Sequence, residues 1–162
     1  MNQAVNFFWT ILCFIPVIAV WAVHYSVLWI CVFLVISTVT QLFPSGRMQL
    51  SNNPEFYQRL GVKFIRKFVQ NGDWVNKLIR KSQPHHKLIK AKGSAAGYMG
   101  TLIMYERFHL LCFFFFMLTA VYAIAVHLYM WSVLTLLSNI IYNFYPIILQ
   151  QYNRTRIARI SK

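Results

Sequence analysis

Two long stretches of this chain carry no charged side chain, and they limit its fold more than any motif does. The first covers residues 1–46 and the second residues 109–153. A bilayer's hydrocarbon core takes roughly 20 apolar residues of helix, so each stretch has room for two crossings. A single helix over residues 4–43 would be ~60 Å long at 1.5 Å per residue. That is about twice the hydrocarbon thickness, so each stretch is expected to fold back as a hairpin. The chain is 58% hydrophobic and 17% aromatic, well outside the composition of ordinary soluble domains. The expected fold is all-α: a polytopic membrane protein, one membrane domain over residues 1–162, with spans at about 4–23, 27–43, 108–126 and 132–149. Pro16 lies inside the first span, a position that membrane helices tolerate.

The connections support this layout. His24-Tyr25-Ser26 is the expected turn of the first hairpin, and Pro44-Ser45-Gly46 ends the second span. His127-Leu128-Tyr129-Met130-Trp131 joins the other two spans. Both turns sit beside Trp, Tyr and His, the aromatic belt expected where a helix leaves the bilayer. A weak cleavage pattern occurs at Val20-Trp21-Ala22. A basic stretch before it is missing and a second apolar run follows at once, so the segment reads as a retained anchor.

The net charge is +13, and twelve of the sixteen Lys and Arg lie between Arg47 and Arg107. The other four are Arg154, Arg156, Arg159 and Lys162. Positive residues flanking membrane spans stay in the cytoplasm, which places residues 47–105 and both termini there. Such a surface attracts anionic lipid head groups or the phosphates of a soluble donor such as an acyl-coenzyme A. Nucleic acid is a poor partner, because the basic residues adjoin membrane helices and form no separate domain.

Within the basic segment, Asn53-Pro54-Glu55 is a helix-start signature: a capping residue, a proline and an acid in the first turn. Phe56, Leu60, Phe64 and Phe68 then recur every four residues, with Arg59, Lys63, Arg66 and Lys67 on the other side. The pattern predicts one basic amphipathic helix, lying in the membrane interface or packed on the protein's own core. Those four cations are the expected membrane-surface or donor-binding residues. Asn71-Gly72 ends the pattern, Asp73 starts a short helix carrying Trp74, Leu78 and Ile79, Ser82-Gln83-Pro84 ends that helix, and residues 87–100 read as a loop. Three cysteines, Cys13, Cys31 and Cys112, have neither an even count nor metal spacing. His85-His86 has no acid or cysteine beside it. No metal and no cofactor is expected.

The candidate chemistry begins at Glu106 and His109. They are three residues apart, so a helix puts them on one face. A carboxylate beside an imidazole raises its basicity and orients it, which suits a general base. The competing reading is an acid at a helix start and an interfacial histidine. Cys112 is a further three residues on; a cysteine nucleophile and a small buried apolar residue are its two readings. The fourth span is unusually polar near its inner end, with Asn139 and Asn143, then Gln150-Gln151-Tyr152-Asn153-Arg154-Thr155-Arg156. Polar groups at that depth usually face a bundle interior or cavity. The third span starts on the inner side and the fourth ends there, so topology should bring Glu106 and His109 to the depth of Asn143 through Arg154.

The run Asn143-Phe-Tyr-Pro146-Ile-Ile-Leu-Gln150-Gln-Tyr152-Asn153-Arg154-Thr-Arg156 resembles the C-terminal signature of the bacterial glycosyl-4,4'-diaponeurosporenoate acyltransferase family. Gln151 stands where that family commonly has Arg. Glu106-x-x-His109 before a membrane span is similar to the family as well, and Arg66-Lys67-Phe68 more weakly so. The likeness covers roughly residues 56–157, and only the tail is specific. The resemblance implies an enzyme of the cell membrane that moves a fatty acyl group to a sugar hydroxyl of a glycolipid or glycosyl-carotenoid. It implies His109 and Glu106 as catalytic residues and Asn143, Gln150, Tyr152, Asn153, Arg154 and Arg156 as substrate-binding ones, with Asn143, Asn153 or Arg154 stabilising an oxyanion. The alternative is a non-catalytic membrane scaffold that holds anionic lipid through its basic helix. A small membrane methyltransferase or reductase fits less well, since no acid follows Glu106.

Overall fold

The structure, a computed structural model, describes residues 2–44, 46–67 and 93–160. Among these there are helices and no strand. Helix α1 (Asn2–Val23) runs through Pro16 without ending. Its residues Phe7, Ile11 and Ile18 form an exposed apolar stripe, while Cys13, Val17 and Val20 are buried on the other side. An apolar stripe of this kind is suited to lipid and poorly suited to water. After the turn, α2 (Val27–Val39) continues into a 3-10 turn, Thr40–Leu42.

Among the described residues, three helical stretches are long and apolar enough to cross a membrane: Gln3–Val23, Gly97–Ala125 and Tyr129–Arg159. The apolar helix Val27–Leu42 is shorter, ~24 Å at 1.5 Å per residue. The chain is thus all-helical over its described residues, with three membrane-length helices and a fourth, shorter apolar one.

The amphipathic segment departs from its pattern. Asn53 does cap α3 (Pro54–Arg59): its side-chain oxygen accepts from the Glu55 N–H at 3.1 Å. The helix then stops. Gly61 has φ +81°, a left-handed conformation that costs glycine little because it has no Cβ. A four-residue helix α4 (Val62–Ile65) follows. The break takes Phe56, Leu60 and Phe64 off a single face and leaves all three exposed, while Tyr57 and Val62 are buried instead. The predicted features from Phe68 to residue 92, His85-His86 included, lie outside the described residues.

Residues 93–100 are helical, where a loop is expected from their glycines. They open the 33-residue α5 (Gly93–Ala125). Ala95 and Ala96 are strong helix formers, and no proline follows until Pro146. The third apolar helix therefore begins well before residue 108. Glu106 lies more than three turns inside it, so the helix-start reading of that acid fails. His127, with φ +62°, turns the chain into α6 (Tyr129–Asn139). A π-helical segment, Ile140–Phe144, and α7 (Tyr145–Ile160) continue the same rod beyond the expected end at 149. Pro146 explains the π segment. It has no N–H and its ring crowds the carbonyl four residues back, so a wider turn just before it relieves the clash.

Helix α5 is central, packing on α2, α6 and α7; α1 packs on α6, and α3 and α4 pack on α7. Two apolar clusters result. The outer one holds Val17, Trp21, Phe33, Cys112 and Phe116. The inner one holds Tyr57, Val62, Ile148, Leu149 and Tyr152.

Candidate functional site

A set of polar side chains from α5 and from the rod that ends in α7 links the two clusters. Glu106 is only 3% exposed. Its Oε2 accepts from Arg154 Nη1 at 2.8 Å, and its Oε1 from Gln151 Nε2 at 2.8 Å. A buried carboxylate is tolerated only with such partners. The geometry follows from topology: the last rod packs back along α5, so its final turns lie beside the first half of α5, and long side chains on each lean back toward their own N-termini.

Gln151 is the hub. Besides Glu106, its Nε2 donates to the Met48 carbonyl at 2.9 Å. Its Oε1 accepts from the Leu50 N–H and the Tyr57 hydroxyl, each at 3.1 Å. The Tyr57 hydroxyl also lies 2.8 Å from the Ser51 carbonyl and accepts from the Ser51 N–H at 3.0 Å. Burial outweighs the opposing pull of the hydrogen bond to the Ser51 backbone and pushes the Tyr57 phenol above its usual pKa, so it stays protonated at neutral pH. Arg154 Nη2 donates to Gln49 Oε1. The stretch 48–51 is thereby tied across the inner ends of α5 and α7. A cleft of about 440 Å³ opens beside it, lined by Gln49, Asn52, Arg154, Thr155, Ala158 and Arg159.

His109 has a different partner. Its Nδ1 lies 3.4 Å from Asn143 Oδ1, and its ring meets Tyr142 edge-on at 5.4 Å. Asn143 Nδ2 donates to Asn139 Oδ1 at 2.9 Å, and Asn139 Nδ2 to the Phe113 carbonyl at 3.0 Å. The expectation that Glu106 orients His109 is therefore corrected. The two share a face one helical turn apart, but both Glu106 oxygens are engaged by α7, and the imidazole turns to Asn143 and the Tyr142 backbone.

The other expected residues divide. Tyr152 is buried in the inner cluster. Gln150 is half-buried, and its Oε1 has no hydrogen-bond partner among the described residues. Asn153 is half-buried. Arg156 is exposed, with its guanidinium 5.6 Å from the Tyr152 ring centre. Arg59, Lys63 and Lys67 are exposed and Arg66 half-buried; Lys67 sits 5.8 Å from the Phe64 ring centre. Cys112 is packed in the outer apolar cluster, which favours its structural reading over a nucleophile.

Gln49, Tyr57 and Asn139 were not among the expected site residues. Tyr57 carries a weak sequence signal: it falls outside the Phe56-Leu60-Phe64 period. Gln49 carries none, because its role depends on which way residues 47–53 fold back.

Comparisons with curated proteins and with solved structures give no match. Residues 40–162 match the family model described as glycosyl-4,4'-diaponeurosporenoate acyltransferase. The match takes in α3 through α7 and every residue of the polar set. With more than half its length matched, the chain belongs to that family of acyltransferases.

Proposed function

We propose that this protein transfers a fatty acyl group to a sugar hydroxyl of a glycosyl-carotenoid or related glycolipid at the cytoplasmic leaflet, as a four-span protein with both termini inside. The observation that carries the proposal is the half-buried imidazole of His109, one helical turn from the buried Glu106–Arg154 ion pair, inside the matched region. His109 takes the proton of the accepting hydroxyl. The hydroxyl oxygen bonds to the acyl carbonyl carbon, and the bond to the donor's leaving group breaks. The proton then passes from His109 to that leaving group, a thiolate if the donor is an acyl-coenzyme A. Arg154, held in place by Glu106, supplies positive charge for the oxyanion. Glu106 is assigned to positioning Arg154 rather than to moving protons.

The cleft beside Arg154, with Arg159 on its wall, fits the charged part of a donor. Arg59, Lys63, Arg66 and Lys67 hold anionic lipid or donor phosphates at the surface. Gln150, Asn153 and Arg156 line the approach from the inner end of the last helix, and Tyr152, buried beneath them, holds the Arg156 guanidinium over its ring.

The test is acyl transfer to a glycolipid acceptor by membranes holding equal amounts of folded wild type and His109→Ala. General-base loss should lower kcat by about 100-fold or more. Full activity in that variant would remove His109 from the chemistry. If acyl transfer is absent from wild-type membranes too, and reversing charge at Arg59, Lys63, Arg66 and Lys67 abolishes lipid binding, the scaffold reading takes its place.

A further inference from the structure

We infer that Asn139 and Asn143 form an amide relay that holds His109 as the tautomer protonated at Nδ1, which makes Nε2 the basic nitrogen. The inference deepens the reading of His109 as base and rests on it for its catalytic meaning, though not for its structural one.

The direction of the relay is set at its far end. The Phe113 carbonyl can only accept a hydrogen bond, so the Asn139 amide must present its nitrogen there, at 3.0 Å. That turns Asn139 Oδ1 toward Asn143, and a carbonyl oxygen again can only accept. Asn143 must therefore present its nitrogen, at 2.9 Å. Its own Oδ1 is left facing His109 Nδ1 at 3.4 Å. An acceptor in that place requires the proton on Nδ1. Reversing any one amide would set two acceptors or two donors against each other. Asn139 and Asn143 are 1% and 0% exposed, so water is not at hand to relieve such a clash.

Local structure supports the alignment. Asn139 closes α6 and Asn143 lies in the π segment, whose wider turn stacks the second amide above the first. Tyr142, in the same segment, is held at its hydroxyl by Thr10 of α1 at 2.8 Å and packs its ring against His109. The imidazole is thus fixed by a hydrogen bond and by a ring contact. A Nδ1–H donated to a neutral oxygen persists when Nε2 takes a proton, so the relay serves both charge states. Asn139 and Asn143 are positioning residues in this account, acting through His109.

The experiment is nitrogen-15 NMR of the full chain in lipid nanodiscs, labelled at histidine, with the His109 signals identified by their loss in His109→Gln. The expected wild-type result is a protonated, pyrrole-type Nδ1 and an unprotonated, pyridine-type Nε2. A proton on Nε2 instead would overturn the relay outright. Asn139→Leu should mix the two tautomers and lower kcat by about 10- to 100-fold, with KM little changed; an unmixed tautomer in that variant also overturns it. Should Asn139→Leu fail to fold, Asn143→Leu decides: with no acceptor left at Nδ1 the two tautomers should mix, and an unmixed Nδ1-protonated ring in that variant overturns the relay. A correct wild-type tautomer alongside full activity of His109→Ala would keep the relay and remove only the base reading.

Discussion

The outer and inner halves of the bundle are held together differently. In the outer half Trp21 stacks on Tyr122, with ring centres 5.0 Å apart, and Phe14 meets Phe116 edge-on at 5.0 Å. The contacts there are apolar, and many shapes of similar volume would satisfy them. In the inner half Glu106, Gln151 and Arg154 engage one another and the stretch 48–51 through hydrogen bonds that few other side chains could supply. The family match begins at residue 40, so Val17, Trp21 and Phe33 of the outer cluster lie outside it, while Cys112 and Phe116 and the whole of the inner cluster lie inside it. Within lipid, apolar contact gains little over lipid itself, and packing and hydrogen bonds do most of the specifying. The comparison teaches that the inner half defines which protein this is, and the outer half mainly closes the bundle.

The comparison can be broken or sharpened by substitution. The largest effect should come from Arg154→Met, which leaves the buried Glu106 carboxylate without its cation. A loss of about 3–5 kcal/mol is expected, read as a fall in detergent-solution Tm or as little folded protein. Adding Glu106→Gln should recover most of that loss. If the double variant is no better than the single, the pair is not the unit proposed.

Gln151→Arg comes next. Arginine has no acceptor, so the Leu50 N–H loses the oxygen that now receives it, while the Tyr57 hydroxyl keeps the Ser51 carbonyl at 2.8 Å. The expected cost is about 1–3 kcal/mol for the one donor left unpaired, and protease cleavage within residues 47–53 should quicken. Unchanged protection would mean that the stretch is held by something other than Gln151.

The smallest effect belongs to the outer half. Phe116→Leu keeps an apolar side chain in an apolar site and should cost about 1 kcal/mol, with acyl transfer unaltered. A loss of activity there would show that the two halves are coupled, and the division drawn above would fail.

Much of the architecture was legible in the sequence. The charge-free stretches announced apolar helices, and His24-Tyr25-Ser26 and Asn53-Pro54-Glu55 marked a turn and a helix cap by local chemistry alone. The meeting of α5 with the end of the last helix followed from topology. Three features were not legible. The break at Gly61 was hidden by a four-residue period that continues straight across it. The early start of α5 was hidden by glycines that a long helix overrides. The partners of Glu106 and His109 were assigned to each other because spacing along one helix is visible in a sequence and contact between helices is not.

The sequence by itself therefore determined the class of the protein and the extent of its apolar helices, because charge and apolar runs act locally through the cost of burial. It also carried the signature that the family match extends. Only the tertiary structure decided that Arg154 neutralises Glu106, that Asn143 faces His109, and that Gln151 reaches back to Met48 and Leu50. Those pairings join residues 34 to 103 positions apart, and the direction of each hydrogen bond depends on every other group packed around it.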